Sequence, residues 1–164
     1  MRPLEPSDIR AAIVNIDDDE RDEIPIPGLH ETIWDEREFL GWRDPEKPHR
    51  GYLVFWVDDR AVGVRVRAAE STMPPGRPAM CSLCHTQQPA PQVSLFVAPK
   101  AGAAGKRGDT VGTYLCRDLN CPTLMRQKTD ELGHTIDSES TRRLIAEGVV
   151  TRLAGFTQRV QGGS

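Results

Sequence analysis

Long apolar runs are missing from this 164-residue sequence. Its longest, such as Tyr52 to Val57, cover only a few residues, whereas a membrane-spanning helix needs roughly 20. We therefore expect no membrane segment. The opening MRPLEPSDIR lacks the apolar core of a secretory signal, so a cytoplasmic location is expected, where reducing thiol systems make structural disulfides uncommon. Aromatic residues are scarce at 5%, and neither sign of charge dominates: 21 Lys and Arg against 24 Asp and Glu leave a net charge of −3. The global basic field typical of a dedicated nucleic-acid binder is thus absent. Catalytic motifs are missing too. There is no P-loop and no Rossmann glycine pattern, and Ser71, His30, His49 and His134 are scattered without motif context, so the expectation is a protein that is not an enzyme.

What is present describes a folded, turn-rich chain of one domain, 1–164, with 38% hydrophobic and 27% charged residues and 14 glycines and 13 prolines. Charge is unevenly placed. Residues 1–70 carry 17 acidic and 10 basic side chains (−7), and residues 71–164 carry 7 acidic and 11 basic (+4).

Ile9, Ala12, Ile13 and Ile16 follow helical spacing after Ser7 or Asp8 as N-cap. The acidic run Asp17 to Glu23, followed by Pro25 and Pro27, should interrupt regular structure as a solvated connector. Trp34 to Trp42 is compatible with either one helical turn or an irregular loop. Gly51–Val57 and Ala61–Ala68 read as two strands of a hairpin joined by Asp58-Asp-Arg60. In the second strand Val62, Val64 and Val66 alternate with Gly63, Arg65 and Arg67, predicting one apolar and one wet face. Residues 1–70 thus form a helix and β-hairpin portion. Pro91–Val97 and Thr110–Leu115 read as a second, longer hairpin around an exposed loop from Pro99 to Asp109. Asp118–Lys128 has helical character, with Pro122 in its first turn. Residues 138–161 place Leu144 or Ile145, Val149, Leu153, Phe156 and Val160 on one stripe of an amphipathic helix that should pack on the sheet.

The four cysteines fall in two close pairs, Cys81-Ser-Leu-Cys84 and Cys116-Arg-Asp-Leu-Asn-Cys121, with 31 residues between them. Zn²⁺ accepts four thiolates tetrahedrally, and two short knuckles on separate elements can close such a saturated, structural site. The second spacing departs from a plain zinc ribbon. It fits a strand ending at Cys116 and a helix opening near Cys121, so that knuckle, hairpin and helix converge on one ion as in a treble-clef finger over 79–129. The alternatives are two disulfides or four unrelated buried thiols. A redox C-x-x-C would leave the second pair unexplained, and His85 is a substitute ligand only if one cysteine is not used. The fold class that emerges is α+β: an antiparallel sheet with flanking helices and an inserted four-cysteine treble-clef zinc finger.

Several segments carry a resemblance: Phe39-Leu-Gly-Trp-Arg-Asp-Pro45, Met80-Cys-Ser-Leu-Cys84, Val93-Ser-Leu-Phe-Val-Ala-Pro99 and Gly112-Thr-Tyr-Leu-Cys-Arg-Asp-Leu-Asn-Cys121. In order and content they resemble the treble-clef domain of FusB-type, elongation-factor-G-binding proteins, from about Leu4 to Val160. The resemblance implies an α/β domain holding one structural Zn²⁺, and binding rather than catalysis. Members bind elongation factor G, and some release it from ribosomes on which fusidic acid has trapped it. In the resistance proteins a helical bundle precedes the zinc domain, whereas here Pro25 and Pro27 come too early for one, so the resemblance carries factor binding further than drug tolerance. By position it implies partner contacts at Ser82, Leu83, Lys106, Arg107, Tyr114 and Phe156. Core packing would equally explain Leu83, Tyr114 and Phe156, and plain solvation would explain Lys106 and Arg107. The rival expectation is a zinc-finger RNA-binding protein that gathers Arg65, Arg67, Lys100, Lys106, Arg107 and Arg126 on one face, and the chain itself is expected to be a monomer.

Overall fold

A computed structural model describes residues 1–131 and 138–163; His134 lies outside the described residues. Among the described residues, seven strands and four α-helices run in the order α1 (Pro6–Ala12), β1 (Leu40–Arg43), β2 (Arg50–Val57), β3 (Arg60–Ala68), β4 (Pro78–Met80), β5 (Gln87–Pro89), β6 (Val93–Pro99), α2 (Gly102–Lys106), β7 (Thr110–Cys116), α3 (Cys121–Glu131) and α4 (Ser138–Gln161). Five strands form one sheet of order β1-β2-β3-β6-β7 with every pairing antiparallel, and β4 and β5 form a separate two-stranded ribbon. This is the expected α+β architecture. Among the described residues no helix is long and apolar enough to cross a membrane.

The sheet separates two apolar cores. Alternation along β2 and β3 sends Leu53, Phe55, Val62, Val64 and Val66 to one face, where they meet Phe96, Leu115, the four cysteines and the stripe Val149, Leu153, Phe156 and Val160 of α4. The opposite face carries Leu40, Trp42, Tyr52 and Val54 against Ile9, Ala12 and Ile13 from the α1 region. Burial on both faces explains why β2 reads as an unbroken apolar run while β3 alternates more visibly. On α4, Leu144 is 70% exposed, so the stripe enters the core through Ile145 and Val149.

Two segments depart from expectation, and at a third an open choice is resolved. The acidic run is not a plain connector: Asp18–Glu23 forms a 3-10 helix closed by a capping box between Asp17 and Glu20. Arg21 anchors it by donating to the carbonyls of Arg10 and Ile13 at 2.8 and 3.1 Å, and Glu20 pairs with Arg65 at 2.6 Å. Trp34–Glu36 makes one 3-10 turn, and the following Leu40–Arg43 is an edge strand, too short to show a period. The loop after β6 contains the five-residue helix α2.

α1 packs on the β1-β2-β3 half of its face, and the segment after it reaches the end of β6, where Asn15 Nδ2 donates to the Pro99 carbonyl at 3.0 Å. Leu95 lies opposite Tyr114, and Val97 opposite both Gly112 and Arg67. These residues alternate with buried Phe96, so they point to the α1 side. Leu95 and Val97 are half-buried there, and Arg67 and Tyr114 are exposed.

Candidate functional site

β4 and β5 pair Ala79 with Gln88 and Met80 with Gln87, and the turn between them is the first cysteine knuckle. His85, with φ 54°, reverses the chain, and its N–H donates to the Cys81 carbonyl at 2.9 Å. The second knuckle begins at Cys116, the last residue of β7. Leu119, at φ 58°, donates its N–H to the Cys116 carbonyl at 2.9 Å, and the turn delivers Cys121 as the first residue of α3. Strand end, tight turn and helix start therefore supply the ligands as the spacing implied.

All four cysteines are buried and free, and their sulfurs lie within 4.8 Å of one another. Cys81 Sγ is 3.6 Å from Cys121 Sγ, and Cys84 Sγ is 3.7 Å from Cys116 Sγ. A disulfide would require about 2.05 Å. Four sulfurs placed tetrahedrally about 2.3 Å from a Zn²⁺ ion are separated by about 3.8 Å, close to these two distances and inside the 4.8 Å that bounds the whole set. The donor set thus suits one structural zinc. The exposed His85 side chain is not needed to complete it.

Surrounding groups stabilise negative sulfur. Gln88 Nε2 lies 3.3 Å from Cys116 Sγ, the Leu83 N–H donates to Cys81 Sγ at 3.4 Å, and Cys121 sits at the positive end of α3. Hydrogen bonding with Cys116, then Cys121, pulls the Cys84 thiol down, whereas hydrogen bonding with Cys116, then Cys81, pushes Cys121 up. Thiols this close titrate as a set, and a divalent cation in place of their shared protons removes the conflict.

Residues 8–160 match the family described as the FBP C-terminal treble-clef zinc-finger. The chain belongs to this family. No curated protein matches the sequence at a significant level. The fusidic acid resistance protein FusC, known from a solved structure, is similar at 23% identity with a TM-score of 0.45; the match covers 60% of this chain and 42% of FusC. The matched region therefore spans less than half of FusC.

Within this treble-clef chain the six residues singled out for partner contact separate clearly. Leu83 is 2% exposed and Phe156 1%. Both pack in the core that holds the cysteines, because Leu83 is drawn under α4 by Arg152, whose Nε donates to its carbonyl at 2.6 Å, and Phe156 lies on the buried stripe of α4. Neither presents a surface to a partner in this fold. Ser82 is half-buried and fastens the knuckle to the sheet edge, its N–H donating to the Tyr114 carbonyl at 2.7 Å. Tyr114 is 43% exposed at the β6-β7 end of the sheet. Lys106 and Arg107 are exposed at the end of α2, and Lys106 Nζ lies 3.2 Å from Asp17 Oδ1.

Half-buried Leu95 and Val97 share the face of Tyr114, and exposed Met80 precedes the first knuckle; reading the sequence did not single these three out. The β6–β7 register is the signal that finds Leu95, since it is the cross-strand partner of Tyr114. Met80 is 50% exposed beside Cys81, and nothing in the sequence distinguishes it from a core methionine.

Proposed function

We propose that this chain is a non-enzymatic, monomeric cytoplasmic binding protein in which zinc holds a docking surface for elongation factor G, and that it modulates release of that factor from the ribosome, with fusidic acid tolerance as one consequence. Family membership across residues 8–160 supports the reading. The observation that carries it is the β6-β7 end of the sheet, where exposed Tyr114 and half-buried Leu95 and Val97 share one face with Arg67 at their edge, and Ser82 of the zinc knuckle bonds to the Tyr114 carbonyl. A partly apolar surface centred on a tyrosine and rimmed by charge has the anatomy of a protein interface. Four sulfurs fill the coordination sphere of a zinc ion and leave no open position for chemistry, in keeping with a binding role.

The RNA-binding alternative is weakened by where the cations lie. Of the six basic residues it requires, Arg65 pairs with Glu20, Arg67 lies 3.9 Å from Glu70, Lys106 pairs with Asp17, and Arg126 makes a two-pronged contact with Glu38 at 2.8 and 3.2 Å. A phosphate backbone would have to displace these carboxylates.

The test is calorimetric titration of purified elongation factor G into the zinc-loaded chain. A complex is expected whose Kd rises by about tenfold or more with Tyr114→Ala, as for a central tyrosine anchor, while zinc content is unchanged. Absence of a complex, or full affinity in the Tyr114 variant, would refute this surface. RNA affinity that falls steeply with salt, in samples free of the factor, would favour the alternative.

A further inference from the structure

An open groove of about 700 Å³ lies beside the second knuckle. Arg43 enters it from β1, Gln88 from β5, Gln92 from the turn before β6, Arg117 and Asn120 from the knuckle, and Gln127 from α3. Ser82, Lys106, Arg107 and Tyr114 do not line it, so it is separate from the sheet surface proposed above.

Among the described residues its two arginines stand without a carboxylate partner within ion-pair distance. Arg43 Nη1 donates to the Arg117 carbonyl at 3.2 Å, and its guanidinium carbon stands 5.1 Å from the centre of the Phe96 ring. Burial first, and then repulsion from Arg117, destabilise the charged Arg43 side chain. Asp118, which also lines the groove, uses Oδ1 to accept from the Asn120 N–H at 2.9 Å. Asn120 is fixed in turn by Arg37, whose Nη1 donates to its Oδ1 at 2.7 Å.

We propose that this groove binds an extended acidic peptide segment of a partner protein, with carboxylates on Arg43 and Arg117 and peptide groups on the amides of Gln92, Asn120 and Gln127. Guanidinium forks match carboxylates in two-pronged geometry. Side-chain amides both donate and accept, as a peptide backbone does. The same charge would suit a phosphate, yet among the described residues no aromatic side chain lines the groove, and single-stranded nucleic acids are held chiefly by stacking bases on aromatic rings.

The test measures fluorescence anisotropy of the full zinc-loaded chain with two probes: a labelled peptide of alternating glutamate and glycine, and a labelled oligouridylate of equal charge. Saturable peptide binding is expected. Arg117→Gln, an exposed change, should weaken it about tenfold, the effect of losing a charged hydrogen-bonding partner. Arg77→Gln, an exposed arginine outside the groove, should leave affinity within about twofold, as expected for a rim charge screened by solvent. Arg43→Lys keeps the charge and loses the fork, so it should also weaken the peptide, and zinc content checks that each variant is folded. The proposal is overturned if peptide binding is absent, if Arg117→Gln leaves it intact, or if the oligouridylate binds more tightly and displaces the peptide.

Discussion

Replacing one glycine in the sheet should loosen the metal site although it contains no ligand. Gly41 lies on β1 opposite Leu53, and the backbone of the second knuckle crosses directly above it. A Cβ at this position would collide with the Leu119 carbonyl oxygen, and would stand 2.9 Å from Phe39 Cε2 and 3.1 Å from Leu53 Cδ2. Phe39 and Leu53 are fully buried, and the principal obstacle is backbone, so no side-chain rotation relieves the clash. Gly51 provides the internal comparison. A Cβ there meets a terminal methyl of the buried Leu119 side chain rather than backbone as its main obstacle, with the Trp42 carbonyl oxygen at 3.2 Å. Overpacking a core costs about 1–3 kcal/mol, and alanine in place of glycine recovers about 0.5–1 kcal/mol of backbone entropy. With backbone as the obstacle the upper part of that range applies, so we expect Gly41→Ala to lose about 2 kcal/mol and to melt about 4–8 °C lower. Gly51→Ala should lose clearly less. Thermal denaturation followed by circular dichroism gives the stability, and transfer of zinc to a chromogenic chelator gives its release rate. The displaced segment joins Cys116 to Cys121, so Gly41→Ala should also release zinc faster. A Gly41→Ala protein that melts and releases zinc like the parent would refute the reasoning.

Elemental analysis should find one zinc per chain, and Cys116→Ser should lose the ion and unfold residues 79–129, because the zinc binding free energy of such sites, about 10–16 kcal/mol in zinc-finger peptides, is folding free energy. Stoichiometric zinc with unaltered melting in that variant would contradict a structural role. The Arg65 hydrogen bond lowers the Glu20 pKa from 4.5, so the folded value lies below the unfolded one. Its stabilisation is present above about pH 4.5 and is lost as pH falls through the folded value. Glu20→Gln should therefore flatten the acid limb of the stability curve, by well under about 1 kcal/mol because the pair is partly open to solvent; superimposable curves for variant and parent would count against it.

The features legible in the sequence are those in which one local pattern decides. Val62, Val64 and Val66 alternate because β3 meets α4 on one side and is more open on the other. The final helix shows its stripe because its opposite face is solvated. The cysteine spacings were informative because a strand end and a helix start are natural places for the two ligands of the second knuckle. What could not be read depends on contacts distant in sequence. β1 has four residues and exists because β2 offers it an edge. The acidic run becomes a 3-10 helix because Arg65, 45 residues further along, pairs with Glu20. Leu83 and Phe156 looked like contact residues by position, and only the meeting of knuckle and α4 shows that they fill the core.

The proposed partner surface and the metal site are joined by a short physical connection. β4 and β5 have three residues each and are far too small to be stable alone. Their knuckle keeps its place through the sulfurs, the Arg152 contact to Leu83 and the hydrogen bond from Ser82 to the Tyr114 carbonyl. That last bond reaches β7, an edge strand whose other side pairs only with β6. Loss of the ion would therefore free the edge on which Tyr114 stands without removing any atom that a partner touches. A cysteine variant should for this reason lose binding together with stability, whereas Tyr114→Ala should lose binding alone. The difference between the two separates the scaffold from the contact.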